Sequence, residues 1–119
     1  MRVSIDHSEK TTGILSKKTH YVVTLSVVFS EEEKAIIRER RLNDLVIMER
    51  PQGTLHHHVE NWKYPIWVNS LLKEPDEYGC PTPQKAKEYQ EALVEALKKL
   101  KSALESNREI AEKSTTFEL

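Results

Sequence analysis

Three of the chain's five histidines stand side by side at positions 56–58, in the stretch GTLHHHVENWKYPIW. Imidazole does two kinds of chemistry near neutral pH: it ligates transition metals and it moves protons. If residues 54–59 form a strand, His56 and His58 point to one face with their Cα atoms roughly 6.5–7 Å apart, and His57 points to the other. Two imidazoles at that spacing can chelate zinc, which then asks for a third and often a fourth ligand. Glu60, Asp76, Glu77, Cys80 and His20 carry suitable atoms, but none stands at a spacing that marks a known site. A metal-binding protein or hydrolase built on His56 and His58 is therefore one reading. The plainer and preferred one is a run of half-exposed polar residues, some stacked on Trp62, Tyr64 or Trp67. Either way the triplet changes charge between about pH 5 and 8.

Other residues suggest other chemistries. Cys80, in YGCPTP, precedes a predicted helix start, where thiolates are favoured; no motif places a base beside it, so an ordinary loop cysteine is expected. Arg38, Arg40 and Arg41, with Lys17, Lys18 and Lys63, would form a basic patch if they converged. With Tyr21, Trp62 and Tyr64 near it, such a patch suits single-stranded nucleic acid, through phosphate contacts and base stacking. A solvated helix end is the simpler account. The run NWKYPIW concentrates aromatic residues, which are enriched at protein interfaces, and makes Trp62, Tyr64 and Trp67 candidate partner contacts. The chain has no P-loop, GxGxxG, GxSxG or HExxH motif. This argues against an enzyme.

These residues must be positioned by a chain of 119 residues, the size of one domain. Charged residues make up 31% of it, above the usual quarter, which implies long solvated faces. The net charge of −1 gives no overall field toward nucleic acid or membrane. A single cysteine excludes an internal disulfide, and neither a signal-peptide pattern nor an apolar run long enough for a membrane span is present. A cytoplasmic protein is expected.

RVSID alternates Val3 and Ile5 against Arg2, Ser4 and Asp6 and reads as a short half-buried strand. SEKTTG reads as a turn region. HYVVTLSVVF is the strongest strand signal: Tyr21, Val23, Leu25, Val27 and Phe29 share one face, and Val22 and Val28 suggest partial cover on the other. SEEE then opens a helix with Ser30 as N-cap and Glu33 completing a capping box. LND ends that helix, and LVIMER reads as a third strand. Residues 54–59 are a possible fourth. YPIWVNSLLKEP is ambiguous, with strand preferred over a short helix. KEPDEYGCPTPQ reads as a loop.

From Thr82, an N-cap followed by Pro83, the pattern becomes plain. Ala86, Tyr89, Leu93, Ala96, Leu100, Ala103 and Ile110 recur at heptad spacing, and Leu97 and Leu104 widen the stripe. The helix is expected to reach about Ala111 and to measure roughly 40 Å at about 1.5 Å per residue. Its leucines need cover, either from this chain's own sheet, the preferred reading, or from a second copy through Leu97, Leu100 and Leu104.

Strands in neighbouring pairs, rather than strict alternation with helices, predict an α+β fold. The expected form is a small, mostly antiparallel sheet of four to five strands, one short helix and one long C-terminal amphipathic helix. A single domain over 1–111 would precede a frayed tail at 112–119. The expected function is a non-enzymatic interaction or regulatory protein that forms a homodimer or binds a protein partner. Zinc binding is the first alternative, and nucleic-acid binding through Arg38, Arg40 and Arg41, the less favoured, is the second.

Overall fold

The computed structural model describes residues 1–13, 15–48 and 65–113, the last segment with side chains to residue 107. The fold is α+β, with five antiparallel strands in two small sheets, short helices and one long C-terminal helix.

Strands β1 (Arg2–Thr12) and β2 (Lys18–Val28) form a hairpin in unbroken antiparallel register, from Arg2 opposite Val28 to Thr12 opposite Lys18. The β1 strand runs well past the predicted RVSID and absorbs SEKTT, which was expected to turn. The reason is pairing: residues 8–12 are polar, but each finds a partner on β2 and needs no buried face. The turn comes at Gly13, whose φ of 103° suits glycine. A Cβ there would meet the Ser16 carbonyl oxygen at 2.2 Å.

β2 carries the sheet. Val23 and Leu25 are buried on its inner face, as its alternation predicts, and the chain continues into buried Phe29. Its other edge pairs with β5 (Asp76–Cys80), Tyr21 opposite Cys80 and Leu25 opposite Asp76, so the strand order is β1-β2-β5. This strand lies inside the segment predicted to be a loop. Pro75 and Pro81 flank it and look like loop punctuation, but β2 supplies its ladder and Tyr78 anchors it in the core.

Helix α1 (Glu31–Glu39) starts as predicted. The Ser30 N–H donates to Glu33 Oε1 at 2.8 Å, and the Glu33 N–H donates to Ser30 Oγ at 3.1 Å. Ile36 and Ile37 fasten it to the core. Arg40 caps it, and Arg41 adopts a left-handed conformation (φ 56°, ψ 45°) that sends the chain into a single 3₁₀ turn at Leu42–Asp44. The helix thus stops just ahead of LND, which was expected to end it, and LND forms the turn that follows.

Strand β3 (Val46–Met48) pairs with β4 (Ile66–Trp67) in a second, two-stranded sheet. The preferred strand over YPIWVNSLLKEP holds only for two residues. Helix α2 (Val68–Lys73) takes the rest, because Val68 and Leu71, three apart, are both buried on one side. The possible strand at 54–59 lies outside the described residues.

Helix α3 (Pro83–Lys113) is one continuous rod of 31 residues, about 46 Å at ~1.5 Å per residue. The Lys85 N–H donates to Thr82 Oγ1 at 3.1 Å, the predicted cap. Ala86, Tyr89, Leu93, Ala96 and Leu100 of the heptad are all buried, as are Leu97 and Leu104. Tyr89 stacks on Tyr78 of β5 with ring centroids 4.3 Å apart. The molecule is elongated and measures 75 × 23 × 21 Å.

Candidate interaction surface

His56, His58, Trp62 and Tyr64 lie outside the described residues. Among the described residues, no group of three or more His, Cys, Asp or Glu is placed to hold a metal ion. Cys80, expected on a loop, is instead a buried residue on the inner face of β5. His20 is buried as well, but it neighbours Tyr21, the partner of Cys80, and so faces the opposite side of the sheet. The two do not form a thiol–imidazole pair.

Arg38, Arg40 and Arg41 are exposed at the end of α1. Lys17 and Lys18 are far from them. Lys18 begins β2 and α1 follows its end, so the length of that strand, about 33 Å at ~3.3 Å per residue, intervenes. Tyr21 belongs to the lysine end. The fold therefore keeps these two parts of the basic set apart.

Leu97, Leu100 and Leu104 are sheltered by their own chain, with only 7%, 2% and 4% of their surfaces exposed. They belong to the core, and Leu97 and Leu104 also reach the floor of a groove at its edge. Trp67 is placed differently: it lies opposite Val46 in the β3–β4 pair, and both are more than a third exposed, beside Leu45. This small apolar patch is where the aromatic segment meets the described surface.

The larger open surface lies at β1. Val3 and Ile5 pair with Val27 and Leu25, so they share the core-facing side of the sheet. Yet Val3 remains 38% exposed and Ile5 is only half-buried. Beside them a groove of about 610 Å³ opens between β1, the start of α1 and the second half of α3. Val3, Ile5, Ile36, Val94 and Leu97 line it, and Lys98, Lys101 and Glu105 also border it. Two polar contacts tie the surrounding elements together. His7 of β1 hydrogen-bonds Gln90 of α3. The Met1 ammonium sits 2.8 Å from Glu33 Oε1, joining the start of β1 to α1. Burial alone would raise the Glu33 carboxyl; the ammonium and the Ser30 N–H and hydroxyl outweigh it and hold the group below its ordinary value.

β1 is also a sheet edge: in the order β1-β2-β5, β2 is its one strand partner among the described residues. An edge strand presents backbone N–H and C=O groups ready to pair with another strand. The sequence showed Val3 and Ile5 as one face of a short half-buried strand but not as part of a surface. The missing signal was that β1 would lie at the edge, which depends on β5 joining the far side of β2.

The chain matches no protein-family model, no curated protein and no solved structure. What defines its class is the fold itself, an α+β domain with a long C-terminal helix.

Proposed function

We propose that this chain is a non-enzymatic interaction protein that works by associating with other polypeptides, a second copy of itself foremost. The observation that carries this reading is the pairing of an 11-residue edge strand with a groove beside it that has an apolar floor and charged borders. Strand addition supplies backbone hydrogen bonds that give affinity, and an adjacent groove receives side chains and gives specificity. The patch at Leu45, Val46 and Trp67 offers a second, smaller contact.

Multi-angle light scattering across a hundredfold range of protein concentration tests the reading, because it measures mass directly. A mass that rises from one chain toward two supports it. A strict monomer at every concentration overturns self-association.

A further inference from the structure

We infer that two copies join edge to edge through β1, antiparallel, about a two-fold axis at Ser4, making one sheet in the order β5-β2-β1-β1-β2-β5. This rests on the reading of the chain as a self-associating protein and names the surface and register it uses.

Geometry narrows the choices. An antiparallel pair of identical strands has its two-fold axis perpendicular to the sheet, and directly opposed side chains lie on the same face. The axis must therefore pass through a residue, not between two. Centred on Ser4, Arg2 of one copy meets Asp6 of the other, Val3 meets Ile5, and Ser4 meets its own counterpart. Both charges are thus matched, twice over by symmetry, and the partly exposed apolar residues cover each other. Centred on Asp6, Arg2 would face Lys10 and Val3 would face Glu9. Centred on Ile5 or His7, neither apolar residue gains an apolar neighbour other than itself. Centred on Ser8, Asp6 meets Lys10 and His7 meets Glu9, but Val3 is carried to Gly13 and Ile5 to Thr11.

The groove favours the Ser4 centre. An axis perpendicular to the sheet keeps both α3 helices on the same side, so the two grooves open toward each other across it. Val3 and Ile5, which line the groove, then lie within one residue of the axis. The edge that has no strand partner among the described residues becomes the middle of a continuous sheet, and the groove beside it is closed by the other copy.

The test is a charge exchange combined with a crosslink, read by light scattering and non-reducing electrophoresis. Arg2 and Asp6 are exposed, so their exchange spares the core, and thermal melts of each variant check the fold. Asp6→Arg is expected to weaken the dimer by about tenfold or more, since like charges then oppose each other at two places. Arg2→Asp combined with Asp6→Arg is expected to restore it. Ser4→Cys places two thiols at opposed positions about 4.5–5.5 Å apart at Cα, within disulfide range, and should crosslink on mild oxidation. Cys80 is 2% exposed and gives a low background. A dimer that ignores the charge reversal and fails to crosslink at Ser4 overturns this inference while leaving self-association standing. Crosslinking of Ser8→Cys in place of Ser4→Cys overturns the register. A wild-type monomer at all concentrations overturns both.

Discussion

Leu100 separates an internal role for the leucine stripe from an intermolecular one. It is 2% exposed in a single chain, so almost the whole side chain has left water without help from a second copy. Leu100→Ala deletes three carbons' worth of that burial, about 2.5 kcal/mol at ~0.8 kcal/mol per methylene-sized group. A residual cavity adds to this, since α3 is a continuous helix that cannot collapse freely onto the gap, and buried leucine truncations fall in the range of about 2–5 kcal/mol. A loss of about 3 kcal/mol is expected. For 119 residues at ~2.1 cal/mol/K each, the unfolding entropy is about 0.25 kcal/mol/K, so the melting temperature should fall by about 12 °C. The assay is urea denaturation and thermal melting at two protein concentrations tenfold apart, with the exposed neighbour Lys99→Ala as control. The deficit should be the same at both concentrations, and the control should change by less than about 0.5 kcal/mol. A loss under 1 kcal/mol, or one that shrinks as protein is concentrated, would refute the claim that the chain shelters its own stripe.

Three further outcomes are expected. Ser30→Ala removes the side-chain acceptor of the Glu33 N–H and should cost about 1 kcal/mol in denaturant unfolding. Glu33 has a folded-state pKa depressed below the ordinary 4.5, so its contribution is present above that value and drains away as pH falls through the folded one. Glu33→Gln should therefore flatten the loss of stability below about pH 4.5 in an acid titration followed by circular dichroism. Arg41 holds a left-handed conformation that costs a side-chain-bearing residue about 1 kcal/mol. Arg41→Gly relieves this but loosens the unfolded chain, so stability should stay level or rise by up to about 0.5 kcal/mol. A drop of more than 1 kcal/mol on chemical denaturation would contradict the backbone account.

What could be read from the sequence was what local chemistry decides. The Ser30–Glu33 capping box, the Thr82–Pro83 start of α3 and the alternation of Val23 and Leu25 all announce themselves within a few residues. What could not be read depends on distant partners. Residues 8–12 are too polar to announce a strand and form an exposed one because β2 lies alongside. Asp76–Cys80 resembles a loop until its ladder to Tyr21–Leu25 is seen. Val68 and Leu71 tip an ambiguous segment into a helix because both find the core at helical spacing. The candidate surface was hidden for the same reason. Val3 and Ile5 were recognisable as an apolar pair, but their place at the sheet's rim follows from which strand takes the other side of β2.

The long axis of this molecule, more than three times either short one, has a practical effect on how its assemblies are recognised. Drag on a rod exceeds drag on a sphere of equal mass, so a lone chain will leave a sizing column early, at the volume of a heavier globular standard. Sedimentation would err the other way and report too slow a particle. Hydrodynamic radius and mass must be measured separately, because a column trace by itself would show pairing where there is only length.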